Sequence, residues 1–434
     1  MRNIFDQYTQ PENRVTHALA SALHEDRVLL RSFLKDIAKT APEKAEGRIE
    51  ICEQTYPGAP EETDEEETEA ERKGIPDAWI TAGDDWCLLI ENKVLSTATA
   101  DQMNRHLATA KGRGFANPKA LVLTILEPAG KMPDGIRVVE WRTVYRWLVA
   151  HASERPWAKH AAEFLELMEG RMVDQQQLKS GTLTAFNGIP FDSDNPFSYL
   201  EAKRVLGLGT SELRKRGDLK SVLGMDPDLP GRPAITGRGE DAVWDFLQIN
   251  AARGAKNFTD FPHLTLGIGR TEAHAMITVP NGMRRESLRR LVDLGPNGFR
   301  DLVHDVLKRM QPSLLKCEGM VPKLRAVQRR YPTQKAVPFH DAIIEFDLRT
   351  GFDEAGPPKT QPQWLDAVYG CLAKKKSNFQ FQIGAHFPYR TCPTVRSVAI
   401  LDRMAEAWIA CRPVVAVLVG ISFASPLDPS RSMR

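Results

Sequence analysis

Two carboxylates and a lysine stand out in residues 76–93, PDAWITAGDDWCLLIENK, where most other side chains are apolar. The carboxylates are Asp77 and Glu91, and Lys93 follows two positions after the second. Paired carboxylates bind hard divalent cations such as Mg²⁺. A neighbouring lysine can orient a water molecule or offset negative charge that develops during a reaction. These residue types in this order therefore indicate metal-assisted hydrolysis of a phosphoester.

The spacing of the two acids predicts that they face each other across a β-hairpin. If Ala82 pairs with Trp86, the same register places Asp77 opposite Glu91, with Cβ atoms roughly 4.5–5.5 Å apart on one face. Two negative charges at that separation repel each other unless a cation lies between them. The main-chain carbonyl of Asn92 could supply a further oxygen to such an ion.

A simpler interpretation treats the three charged residues as surface features. Asp77 would only begin a strand, and Glu91 and Lys93 would form a solvated pair at a sheet edge. The apolar run WCLLI at residues 86–90 favours an interior strand instead, and interior charges need partners. We therefore prefer the metal site.

The elements expected around this hairpin follow the order α-β-β-β-α-β, with further helices after them. Strands are predicted at 48–56, 75–80, 86–94, 119–126 and 138–141, and helices at 11–40 (one or two), 99–110, 142–150 and 157–170. The strand at 119–126 is almost wholly apolar, as in a sheet covered on both faces.

The PD at 76–77, the ENK at 91–93 and the stretch IENKVLSTATADQMNRHL at 90–107 resemble the PD-(D/E)xK nuclease superfamily. The resemblance covers about residues 4–170 and implies an α/β fold with the superfamily's mixed-sheet core. It also implies an endonuclease that needs Mg²⁺, with Mn²⁺ as a substitute, and that hydrolyses phosphodiester bonds of nucleic acid, in the first instance double-stranded DNA. By analogy, the biological setting would be bacterial restriction or antiphage defence.

The resemblance also assigns roles to individual residues. Asp77 and Glu91 match the metal-binding acids, and Lys93 matches the catalytic lysine. Gln102 matches a polar residue on the following helix, near the active site. Glu12 matches an acid of the first helix that often joins the metal site.

Each of these assignments has an alternative. Thr9 and Glu12 have the spacing of a capping box, so Glu12 could serve only its own helix. Gln102 could lie on a solvated helix face, and Lys93 could be an ordinary surface lysine. The acidic run EETDEEETEAE at 61–71 is expected to be a solvated loop, or else a gate that repels nucleic acid until it is displaced.

The chain has 434 residues, which is too long for one ordinary core. We predict a nuclease domain at 1–178 and an α+β domain at 179–434. The formal net charge of +2 indicates no global basic field. The N-terminus lacks the pattern of a signal peptide. The six cysteines are scattered, which argues against a zinc site or a disulfide framework. We therefore expect a cytoplasmic protein without membrane association.

The second domain carries fewer signals. Helices are predicted at 198–215, 284–294, 297–310, 361–373 and 395–410. Strands are predicted at 263–268, 274–279, 342–348, 379–386 and 414–421. The last strand lies in an apolar run that is too short to span a bilayer, and we interpret it as a buried strand. The HLTL at 263–266 resembles half of a two-histidine phosphoesterase signature, but no second half is found, and we prefer a strand with an edge histidine.

Basic clusters are a further feature of the second domain. They lie at Arg284-Arg285 with Arg289-Arg290, at 323–330 and at 374–376, with Tyr331, Phe379 and Phe381 close to some of them. They could track a phosphate backbone or be solvated helix faces. Sensing, targeting or oligomerisation is expected of this domain, with a homo-oligomer and a possible protein partner. The alternative for the whole chain is a non-catalytic nucleic-acid-binding module, or a sensor or scaffold, on a nuclease fold.

Overall fold

The computed structural model describes residues 5, 8–42, 49–55, 57, 75–83, 85–175, 177–178, 182–232, 241–252, 257–281, 283, 285–333, 339–349, 361–373 and 378–420. The acidic run at 61–71 and the lysines at 374–376 lie outside them. The chain divides into two compact units, Met1–Ala185 and Phe186–Arg434, whereas the sequence placed the boundary between 178 and 179. The molecule is an α/β protein with one mixed and one antiparallel sheet.

The first unit contains helices on both sides of a five-stranded sheet. Its helices are α1 (Pro11–Glu25), α2 (Arg27–Phe33) with a π-helical turn at Leu34–Ala38, α3 (Ala100–Gly112), α4 (Trp141–His151) and α5 (Pro156–Asp174). Its strands are β1 (Ile49–Glu53), β2 (Ala78–Ala82), β3 (Trp86–Lys93), β4 (Lys119–Thr124) and β5 (Ile136–Glu140). This order includes every element predicted for residues 11–170.

The strands of the first unit lie side by side in chain order, β1-β2-β3-β4-β5. The first three are antiparallel, and β3, β4 and β5 are parallel. In the β2–β3 hairpin Ala82 pairs with Trp86 and Ala78 pairs with Ile90, so the predicted register is confirmed. Strand β3 is therefore the central strand, and its charged end lies inside the sheet rather than at an edge.

Both faces of β3 are buried, and they belong to different hydrophobic cores. Leu88 and Ile90 pack in the core formed with α1, α2, α4 and α5. Cys87 and Leu89 pack in a smaller core that includes Met103 of α3. Because side chains alternate along a strand, Glu91 and Lys93 continue the α3 face, and Asn92 continues the opposite face.

The second unit has helices packed on a six-stranded antiparallel sheet. Its helices are α6 (Tyr199–Arg214), α7 (Gly217–Leu223), α8 (Arg285–Val292), α9 (Gly295–Lys316), α10 (Pro362–Ala373), α11 (Ile400–Ala410) and α12 (Arg412–Val419). Its strands are β6 (Ala242–Leu247), β7 (His263–Gly269), β8 (Glu272–Val279), β9 (Val321–Arg330), β10 (Phe339–Asp347) and β11 (Asn378–Pro388), in the spatial order β10-β9-β11-β8-β7-β6. One face of this sheet supplies the large apolar core of the unit.

The strand predicted at 414–421 is wrong, because residues 412–419 form helix α12. Pro413 occupies the first turn of that helix, where proline is tolerated. Its buried residues Val414, Val415 and Leu418 have helical spacing, and Gly420 ends it at φ +73°. The β-branched residues favour a strand only weakly, and packing against the core overrides that preference.

The basic stretch at 323–330 is part of strand β9, so its interpretation as a helix face is wrong. Alternate residues of this strand, such as Leu324 and Ala326, are buried. Phe379 and Phe381 also lie in the apolar core, which removes them as partners for nucleic-acid bases. Strand β7 pairs with strands on both sides, so His263, which is 4% exposed, does not lie at a sheet edge.

Among the described residues, no helix is long and apolar enough to cross a membrane.

Candidate functional site

The site begins where the β2–β3 hairpin opens away from its turn. The turn uses Gly83 at φ +62°, a conformation that glycine adopts without steric cost. The regular ladder ends at the pair Ala78–Ile90, one pair before Asp77 and Glu91. Beyond it, Asp77 Oδ2 accepts a hydrogen bond of 2.7 Å from the main-chain N–H of Asn92. The carboxylate of Asp77 thus lies against the charged end of β3.

Glu91 is the most enclosed of the charged residues in the site, with 3% of its surface exposed. Its Oε1 accepts from Gln102 Nε2 at 2.6 Å and lies 2.7 Å from Lys93 Nζ. Its Oε2 lies 3.1 Å from His106 Nε2. A buried carboxylate needs such partners to stay ionised, and three side chains supply them.

Helix α3 delivers two of those three side chains. Its N-cap Thr99 accepts from the main-chain N–H of Gln102 at 3.3 Å, which fixes where the first turn starts. Gln102 and His106 are four residues apart and therefore lie on one face of the helix. His106 is absent from the sequence-based site, although its i, i+4 spacing from Gln102 was the signal that could have identified it.

The surroundings raise the pKa of Asp77 and lower the pKa of Glu91. Burial, and then the negative charge of Glu91, raise the pKa of Asp77 from 3.8 to about 7. Burial also acts to raise the pKa of Glu91, but the hydrogen bonds and charges of His106 and Lys93 outweigh it, and that pKa is lowered. Burial works against the charge of Lys93, yet Glu91 and Asp77 raise the pKa of Lys93. At neutral pH the site holds an ionised Glu91–Lys93 pair beside a readily protonated Asp77.

Glu12 reaches the same region from helix α1. Its Oε1 accepts from the main-chain N–H groups of Val94 and Leu95 at 2.9 and 2.8 Å. The N-cap of α1 is Gln10, and no side chain caps it. The capping-box interpretation of Glu12 is therefore wrong, because this side chain binds the chain segment that follows β3. Its negative charge contributes to the raised pKa of Asp77.

Asn92 anchors the opposite face of β3. Its Nδ2 donates to the main-chain oxygen of Glu12 at 2.7 Å and to Thr16 Oγ1 at 3.1 Å. Its Oδ1 accepts from Trp141 Nε1 at 2.5 Å. The side chain thus ties β3 to α1 and α4, and its amide points away from the acids, so only its main-chain carbonyl remains a candidate ligand.

Replacing Asn92 by Leu is expected to lower the free energy of unfolding by about 3 kcal/mol, because it leaves the buried Trp141 N–H and Thr16 hydroxyl without this partner. Urea denaturation followed by tryptophan fluorescence measures the change. Asn104→Leu, at an exposed position of α3, is the matched control. Equal stability of the two variants would contradict the anchoring role.

The side chains gathered here are chemically suited to a hard cation. Asp77 and Glu91 offer carboxylate oxygens, the ligands that Mg²⁺ prefers. Within the described ranges no cluster of three or more His, Cys, Asp and Glu side chains is arranged to hold a metal ion. An ion bound here would therefore take its other ligands from water, main-chain oxygen or substrate.

Comparisons with protein-family models and with curated proteins find no match for this chain.

Proposed function

We propose that the first unit is a metal-dependent phosphodiesterase, and specifically a nuclease. The observation that carries this proposal is the convergence of Asp77, Glu91, Lys93 and Gln102 at one end of a hairpin that is otherwise apolar. Placing two carboxylates so close costs stability. A protein can keep such a destabilising pair of carboxylates when catalysis requires it.

Mg²⁺ or Mn²⁺ is the proposed cofactor, and the donor set supports it. Asp77 and Glu91 would hold the ion, with the main-chain carbonyl of Asn92 as a further candidate, whereas Glu12 is engaged by the N–H groups of Val94 and Leu95. Burial and the negative charge of Glu91 raise the pKa of Asp77 although Lys93 acts to lower it, and a bound cation would add further positive charge beside this carboxylate. When bound, the ion activates water and polarises the phosphoryl group.

Lys93, Gln102 and Asp77 would each have a separate role in the reaction. Lys93 would face the phosphate and offset the charge that develops on it, as preorganised cations do. Gln102 donates to Glu91 Oε1 and so fixes the orientation of that carboxylate. Asp77 is held by the N–H of Asn92, so its position is set by the backbone of β3.

The proposal extends to the substrate through the resemblance of residues 76–107 to PD-(D/E)xK nucleases. That resemblance supports double-stranded DNA as substrate, a restriction-endonuclease-like core, and a role in restriction or antiphage defence. The element order α-β-β-β-α-β of the first unit is compatible with such a core. A homo-oligomer would allow paired cuts in a duplex.

One observation favours a second candidate, a nucleic-acid-binding module that retains the site without chemistry. Glu91 already has Lys93, Gln102 and His106 as partners. A network so well satisfied could be purely structural. In that case the chain would bind nucleic acid and leave it intact.

Incubation of the purified full-length chain with plasmid DNA, single-stranded DNA and RNA decides between the two. Reactions with Mg²⁺, with Mn²⁺ and with a chelator are run side by side. Metal-dependent cleavage that is lost in Asp77→Asn supports the nuclease. Binding without cleavage on every substrate and with either metal favours the module.

His106 is expected to act as a positioning residue for Glu91. Replacement by Phe removes its contact with Glu91 Oε2 and should raise the Mg²⁺ concentration needed for half-maximal cleavage about tenfold. His106→Gln, which can still donate a hydrogen bond, should recover most of that loss. An unchanged Mg²⁺ dependence in His106→Phe would exclude the positioning role.

A further inference from the structure

The second unit contains a cleft of about 850 Å³ over the face of its sheet that is turned away from the apolar core. We call it the sheet cleft. Its floor is formed by strands β7, β8, β11 and β9. A water-facing side of an antiparallel sheet would also be polar, so polarity alone does not indicate a ligand. Three features distinguish this floor: several of its polar side chains are buried, hydrogen bonds fix their positions, and one of its arginines has no carboxylate beside it in the described part of the chain.

A single row of polar side chains crosses five strands at one register. His263 pairs with Thr278, Thr278 with Gln382, Gln382 with Arg325, and Arg325 with Glu345. The first three are 4%, 3% and 9% exposed. Side chains that only faced bulk water would be more accessible, so these three lie at the bottom of a recess, whereas the side chains of Arg325 and Glu345 are 42% and 36% exposed.

Hydrogen bonds within the floor hold these side chains in place. The hydroxyls of Thr265 and Thr278 lie 2.6 Å apart, and Gln382 Nε2 donates to Thr278 Oγ1 at 3.0 Å. The Gln382 amide is thereby fixed, with its carbonyl oxygen left as an acceptor. Such a preformed set of polar groups is typical of small-molecule sites.

The carboxylates of the cleft are already matched with cations. Asp241 pairs with Arg270. Glu272 Oε2 lies 3.6 Å from Lys323 Nζ, and its Oε1 lies 2.7 Å from His386 Nδ1. Glu345 lies 3.2 Å from both Lys323 Nζ and Arg325 Nε.

Arg329 is the exception among the cations that line the cleft. Its guanidinium donates to the neutral carboxamide of Gln380. Its buried Nε has no hydrogen-bond partner in the described part of the chain. Among the residues that the structure describes, Arg329 faces only a neutral group, and such a cation attracts an anion. The cleft therefore has a place for one negatively charged group of a ligand.

Flat side chains stand at the sides of the cleft. Tyr331 follows Arg329 by two residues and is 41% exposed. Trp244 lines the other side, but the guanidinium of Arg232 already lies over its ring, 3.9 Å from the centroid. Of these two rings, Tyr331 is therefore the one that can pack against a ligand held at Arg329.

We propose that the sheet cleft binds a free 5′-mononucleotide, with the phosphate against Arg329 and the base over the polar row near Gln382. The volume lies within the range of about 300–1,000 Å³ that is typical for such ligands. The proposal concerns the second unit alone and does not depend on the nuclease activity proposed for the first.

Isothermal titration calorimetry of the full-length Asp77→Asn chain in EDTA tests it, because neither metal nor cleavage can then contribute. The titrants are the four 5′-ribonucleoside monophosphates, the matching nucleosides, inorganic phosphate and a ten-nucleotide single strand. We expect saturable binding of at least one monophosphate, clearly tighter than its nucleoside and than phosphate. Arg329→Gln should weaken that binding about tenfold without changing the weaker binding of the nucleoside.

Arg309→Gln is the matched control, since Arg309 lies on α9, pairs with Asp305 and does not line the cleft. Arg329→Lys keeps the charge and should retain part of the affinity, and the melting temperature of each variant confirms that it is folded. No binding of any monophosphate at millimolar concentration would overturn the proposal. So would equal binding of phosphate alone, binding of the single strand only, or equal loss in the Arg309 control.

Discussion

Replacing Lys93 by Met is expected to slow phosphodiester hydrolysis about 10³-fold at saturating Mg²⁺, since removal of one preorganised charge from an active site has effects of that size. The Met side chain preserves much of the apolar stem of the lysine. Glu91 keeps Gln102 and His106 as partners, so the fold should survive. Initial rates of plasmid nicking, measured over a range of Mg²⁺ concentrations, give the effect on turnover separately from metal affinity.

Two further variants serve as a second test of the site and as a control for the Lys93→Met measurement. Glu91→Gln is nearly isosteric and should also abolish cleavage, because it removes a charge that the ion needs. Lys119→Met removes an exposed lysine at the start of β4 and should cut at the wild-type rate. Wild-type cleavage by Lys93→Met or by Glu91→Gln would refute the assignment of the site.

Replacing Asp77 by Asn is expected to stabilise the metal-free protein while it abolishes cleavage. The folded pKa of Asp77, about 7, lies above its ordinary value of 3.8. A pKa raised by folding contributes stability that is fully present below the unfolded value and is lost as the pH rises through the folded value. At about pH 8 the charged Asp77 is therefore unfavourable, and the Asn variant should be more stable by about 2 kcal/mol.

The same variant should give less than half of that gain at about pH 5, where Asp77 is mostly protonated in the folded wild type but already mostly ionised in the unfolded chain. Urea unfolding at both pH values in EDTA measures this difference. Asp85→Asn, in the exposed turn, serves as the control. Added Mg²⁺ should stabilise the wild type and leave Asp77→Asn unchanged, whereas an equal gain at both pH values would contradict the electrostatic explanation.

The first unit could be predicted closely because its signals are local. The turn at Gly83 and the alternation on either side set the hairpin register, and that register was enough to bring Asp77 and Glu91 together. The partners of those acids were harder to foresee. His106 comes from a helix whose rotation about its own axis depends on packing, and Glu12 turned to the backbone of residues 94–95 instead of to its own helix.

The second unit was predicted less well because its signals conflict. Strand β9 reads KLRAVQRR over 323–330, and its many basic residues suggested a charged helix although their alternation fits a strand. In helix α12, β-branched residues favoured a strand, and only tertiary packing reveals the helix. The sheet cleft could not be foreseen from the sequence, since the polar row that crosses it joins residues from five strands that are distant in the chain.

The two faces of β3 make it possible to inactivate this protein without unfolding it. Glu91 and Lys93 point to one side, whereas the anchoring contacts of Asn92 lie on the other. A chain altered only at Glu91 and Lys93 should still bind the nucleic acid that is proposed as its substrate. Such a variant, expressed with an affinity tag in living cells, would retain its target long enough for crosslinking and sequencing to identify it.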